Sequence, residues 1–78
     1  MPKYNPDEIL SFVDEHGEVT LEGNNDLMLK VGKGKDCYFV FQGSPETGYG
    51  QDLKSRGETL KFIRKALSDD EYNRITIE

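Results

Sequence analysis

The chain has no tryptophan, one cysteine, one histidine and only two methionines and three prolines. Cys37 has no partner for an internal disulfide, so the fold must hold without covalent staples. Long hydrophobic runs are missing as well. The longest, Cys37-Tyr38-Phe39-Val40-Phe41, falls far short of the roughly 20 residues of a membrane-spanning helix. The opening Met-Pro-Lys-Tyr-Asn-Pro lacks the apolar stretch of a secretory signal. Together these absences lead to the expectation of a reducing, cytoplasmic setting with no membrane segment. Positive charge is also in short supply: ten Lys and Arg stand against fifteen Asp and Glu, for a net charge of −5. Such a balance repels a phosphate backbone on average and favours basic or mixed-charge partners.

What is present suits one small domain over 1–78, because chains divide into separate cores only at much greater length. Apolar residues make up 35% of the 78, with four Tyr and four Phe among them. A thin core follows, of the kind that supplies roughly 3–5 kcal/mol of net stability.

Asn5 as cap, Pro6 at the first helical position, Glu8 completing a capping box and Tyr4 as staple to Ile9 predict a helix over 6–16. Ile9, Leu10, Phe12 and Val13 form its apolar stripe, and Gly17 supplies the residue that ends it. From Glu18 the period becomes two. Val19 and Leu21 alternate with Glu18, Thr20 and Glu22; after Gly23-Asn24-Asn25, Leu27, Leu29 and Val31 alternate with Met28 and Lys30. A second turn over 32–36 leads into a third strand, Cys37 to Gln42, apolar on both faces and expected to be the best buried. Residues 43–57, with Gly43, Pro45, Gly48, Gly50 and Gly57, read as one long loop of the functional or mobile kind. Leu60, Ile63 and Leu67 predict a helix over 58–67, capped near Ser55 or Gly57. A second capping box, Ser68-Asp69-Asp70-Glu71, predicts a restart at a new angle, with Ile75-Thr76-Ile77 as a frayed turn or short strand. The expected architecture is therefore α+β: helix, three-stranded antiparallel meander, then a helix broken at Ser68, with both helices on one face of the sheet.

No catalytic or cofactor motif emerges. His16 sits where a cation complements a helix C-terminus. A Cys37–His16 dyad has no local motif behind it, and Asp69-Asp70-Glu71 reads as acids in a first helical turn rather than a metal cluster. Glu22 to Asp26 lacks the alternating ligands of an EF-hand, and Gly32-Lys33-Gly34-Lys35 lacks the spacing of a phosphate-binding loop. Tyr49, between Gly48 and Gly50, is either an interface aromatic or a lid over the core.

Two surfaces are candidates. A protein-binding loop is expected at Tyr49, Gln51, Asp52, Lys54 and Arg56. Basic residues cluster at Lys54, Arg56, Lys61, Arg64 and Lys65, and a local cationic patch over Lys33, Lys35, Lys54, Arg56 and Lys61 would instead grip nucleic acid. The helix–strand–strand–strand–helix order resembles, in layout alone, the double-stranded-RNA-binding domain, which grips phosphates with a hairpin loop and the start of its last helix. This chain departs from that family in having Glu58-Thr59-Leu60-Lys61 where a lysine-rich helix start belongs, and in its acidic charge. The favoured expectation is a small acidic, non-catalytic protein-binding domain. It would act as a regulator or inhibitor of a basic or nucleic-acid-handling partner, in the manner of a phage or mobile-element accessory protein. It is expected to be a monomer or homodimer and to need no cofactor or metal.

Overall fold

The computed structural model describes residues 4–77. Helix α1 spans Pro6–His16. Asn5 Oδ1 accepts the Asp7 N–H at 2.8 Å, and the Gly17 N–H donates to the Val13 carbonyl at 2.8 Å. Gly17 has φ +101°, a conformation that favours glycine and lets the chain leave the helix at once. Ile9, Leu10 and Val13 are buried along one face.

Five strands follow from the rest of the chain: β1 (Glu18–Gly23), β2 (Met28–Lys33), β3 (Tyr38–Gly43), β4 (Tyr49–Leu53) and, after helix α2 (Arg56–Asp69), β5 (Tyr72–Ile77). They form one antiparallel sheet in the order β4-β3-β2-β1-β5. The meander therefore has four strands rather than three, and a fifth closes on the far side of β1. The expected 43–57 loop is a tight connection, where Ser44 and Thr47 hydroxyls bond at 2.6 Å, followed by a strand. Here Gly43 has φ +117°, and a Cβ on it would stand 2.5 Å from Gly48 Cα, so the turn requires its glycines.

The restart at Ser68 does not occur. Helix α2, capped by Ser55 Oγ accepting the Glu58 N–H at 3.1 Å, runs unbroken through Ser68 to Asp69, and Asp70 is already extended. Asp69 thus sits in the last turn of a helix, the reverse of the expected first-turn placement. The local capping signal loses to long-range pairing: Leu21 faces Ile75 and Val19 faces Ile77 across the β1–β5 ladder. A bulge at Glu22/Gly23 brings Gly23 opposite Tyr72, where a Cβ on Gly23 would meet the Glu71 carbonyl oxygen at 2.5 Å.

Register sets the core. Val19, Val31 and Val40 lie in one row across the sheet, with Leu21 and Leu29 in the next. These five pack with Ile9, Leu10 and Val13 of α1 and Ile63 and Ala66 of α2 in a single buried cluster, so both helices lie against one sheet face. Continued into β4, the same rows reach Gln51 and, through Gln42, Tyr49. The helix-covered face therefore turns from apolar to polar beyond β3. The third strand is not the best buried, since only its Val40 is fully enclosed. Its other face carries Phe39 and Phe41 outward. Phe41 Cζ lies 2.6 Å from where a Gly48 Cβ would be and Phe39 Cζ 3.1 Å from that of Gly50, so the two rings cover the glycines flanking Tyr49. The same open face carries the Lys30–Glu18 pair at 3.2 Å and the Arg74–Glu22 pair.

Candidate interaction site at the sheet edge

Two features stand out among the expected functional residues. The first is a polar cluster where the end of α1 meets the start of α2. Tyr38 Oη donates to Asp14 Oδ1 at 2.6 Å, Arg56 Nε donates to Asp14 Oδ2 at 3.1 Å, and Lys33 Nζ lies 3.6 Å from Oδ1. Asp14 thereby ties together α1, β2, β3 and α2. The Tyr38 hydrogen bond, helped by the charges of Arg56 and Lys33, holds its carboxyl below the ordinary carboxylate range despite some desolvation. The same bond, followed by burial, pushes the Tyr38 phenol up.

The second feature is a groove between α2 and the edge strand β4, about 710 Å³ in volume. Leu53 and Phe62 are its half-buried apolar members and both pack against the core. Gln51 joins them from β4, while Glu58, Lys61, Arg64, Lys65 and Ser68 come from one side of α2. Lys65 pairs with Asp69 at 3.7 Å; Lys61 and Arg64 form no ion pair among the described residues. A chain of net charge −5 thus places three cations beside one acid, Glu58, along a groove that borders a sheet edge. Residues 49–52 are exposed and Leu53 is half-buried, as befits a strand with only one neighbour.

The expected residues distribute unevenly over these features. Gln51 lines the groove; Tyr49, 59% exposed, stands two residues before it on β4 and does not close the core. Asp52 is exposed on β4 opposite Phe39, and Lys54 is exposed just after the strand. Arg56 is drawn to Asp14 instead. The cationic set is divided in the same way: Lys33 and Arg56 share Asp14, Lys35 is exposed in the β2–β3 turn, and Lys61 lines the groove. Arg64 and Lys65, which belong to the basic cluster of the sequence, line the groove with Lys61, whereas Leu53 and Phe62 were not among the expected site residues. The trace of Phe62 was present in the helical spacing of 58, 61, 62 and 65, which puts an acid, two cations and an aromatic on one face.

His16 lies in the last turn of α1, its ring 6.4 Å from that of Phe12. No group of three or more His, Cys, Asp or Glu suited to a metal occurs among the described residues. Among them, no helix is long and apolar enough to cross a membrane. The chain shows no significant match to any protein-family model, curated protein or solved structure.

Proposed function

We propose that this chain is a small, non-catalytic protein-binding domain that regulates a partner protein through the β4 edge of its sheet. The observation that carries this reading is the coincidence of an exposed edge strand, an apolar-floored groove and a cationic rim on one side of an acidic molecule. Edge strands present unpaired backbone groups to solvent, and a neighbouring groove adds side-chain selectivity to them. Tyr49 offers a large contact area with few rotatable bonds at the start of the same strand. The best-developed polar cluster, around Asp14, is engaged internally by Tyr38, Arg56 and Lys33, which supports a structural rather than a chemical role for it. That engagement also weighs against nucleic-acid binding, since two of the five cations it needs are already paired with a carboxylate.

The test is affinity capture from lysate with the tagged chain, the Tyr49→Ala variant and a Thr20→Ala variant on the open face. A protein captured by wild type and Thr20→Ala and lost with Tyr49→Ala is the expected result. In parallel, the mass of the 8.9 kDa chain in solution should be unchanged by short double-stranded RNA or DNA at low salt. A stable complex with either nucleic acid, or capture indifferent to Tyr49, would overturn the reading.

A further inference from the structure

We infer that the free edge of β4 takes up an extended acidic peptide as a sixth strand, with one apolar side chain of the peptide entering the groove between β4 and α2. This rests on the protein-binding reading above and names the ligand class of that same site.

Every second residue of an edge strand turns its N–H and C=O away from the sheet. Strand β4, with β3 on one side only, therefore offers a backbone template along Tyr49–Leu53. The strand contains no proline to block pairing, and Gly50 leaves the approach open. Side chains of an added strand alternate, so those facing the groove recur every second residue. On α2, the groove runs from Glu58 to Ser68, which at 1.5 Å per residue is about 15 Å. Five strand residues at about 3.3 Å each cover the same length, which is the length of β4 itself. An apolar side chain at the groove-facing position beside Leu53 reaches the Leu53 and Phe62 floor. An acid two residues further along, beside Gln51, meets the rim, where Lys61 and Arg64 have no carboxylate partner among the described residues, whereas an acid on the other side would approach Glu58. The expected pattern is an acid and an apolar residue two apart, which the palindromic acid-x-apolar-x-acid sequence offers in either strand direction. A second copy of this chain fits less well, because β4–β4 pairing about a two-fold axis sets two cationic α2 rims side by side.

The probe is the blocked peptide Thr-Glu-Thr-Leu-Thr-Glu-Thr, titrated into the full chain at low salt and followed by backbone amide shifts and calorimetry. Shifts should concentrate on 49–53 and on α2, affinity should fall as salt rises, and the Lys61→Glu/Arg64→Glu double variant should bind about tenfold more weakly. These two exposed substitutions keep the fold, which circular dichroism checks. The same peptide with Lys in place of Glu should bind the double variant better than wild type, and N-methylation of the central Leu should weaken binding. Shifts confined to the open face around Phe39 and Phe41, equal affinity for the Lys peptide, a chain that is dimeric through β4, or no saturable binding would each overturn the inference. If capture from lysate still depends on Tyr49 while the peptide fails, this inference falls and the protein-binding reading stands.

Discussion

Replacing Tyr72 by Phe should stabilise the protein. Tyr72 opens β5, is 2% exposed, and its ring belongs to the core cluster. Its hydroxyl is buried and has no hydrogen-bond partner among the described residues. Burial pushes the phenol pKa up and the nearby Gln42 side chain acts in the opposite direction; that amide donates to Asp70 Oδ2 at 3.3 Å and does not reach hydrogen-bonding geometry with the Tyr72 hydroxyl. An unsatisfied buried hydroxyl costs about 1–3 kcal/mol, and Phe keeps the ring and removes the cost. With some packing lost along with the oxygen, the net gain should be near ~1 kcal/mol, which for a domain of this size moves Tm up by roughly 4–8 °C. Thermal and urea denaturation followed by circular dichroism measure it. A second signature is alkaline. Because the folded pKa is raised, the unfolded state ionises first, so the wild type loses stability as pH climbs above the ordinary tyrosine value of about 10. The Phe variant should lose less over that window, with Tyr38 supplying what remains of the slope. A fall in Tm of several degrees, or an unchanged alkaline limb, would refute the reasoning and show that the hydroxyl is bonded in solution.

Asp14→Asn should cost about 1–2 kcal/mol, since it weakens a charge-assisted bond from Tyr38 and two partly exposed ion pairs. Its lowered pKa means that the stabilisation is complete above the ordinary carboxylate range and is lost as pH falls through the lower folded value, so the variant should show a shallower acid limb in a pH series of urea melts. Leu29→Ala removes a fully buried side chain and should cost about 2–5 kcal/mol, comparable to the whole stability of so small a domain. Circular dichroism at 37 °C should find that variant largely unfolded. Gly48→Ala would place a Cβ 2.6 Å from Phe41 Cζ and 2.7 Å from the carbonyl oxygens of Gln42 and Ser44, so a loss of about 1–3 kcal/mol is expected, with amide exchange fastest in β4.

Helix α1 was legible to the residue because its signals are local: the Asn5 cap, Pro6, the 3.6-residue stripe and Gly17 all act within a few positions of one another. The alternation of Val19 with Leu21 and of Leu29 with Val31 likewise exposes β1 and β2 with their buried face. Strand β4 left no such trace. On the sheet face that carries the helices its residues are Tyr49, Gln51 and Leu53, of which the first two are exposed, so no buried alternation marks the strand. Of the proposed surface, Tyr49, Gln51 and Lys61 stood among the expected site residues and Arg64 and Lys65 in the basic cluster, while Leu53 and Phe62 read only as apolar residues of the loop and the helix.

The α+β character, two helices, the first hairpin and an acid excess all follow from short-range patterns that a linear chain displays. Which strand closes each side of the sheet does not. Ser68-Asp69-Asp70-Glu71 carries a sound helix-start signal, but the backbone of β1 needs a partner and Tyr72, Ile75 and Ile77 supply it from 49 to 58 residues away, as in the pairing of Leu21 with Ile75. The same holds for Arg56, whose charge reads as available in the chain and is directed to Asp14, forty-two residues earlier. Pairings of that kind depend on what the packed core brings within hydrogen-bonding distance, and so they arise only when the helices and sheet have closed on each other.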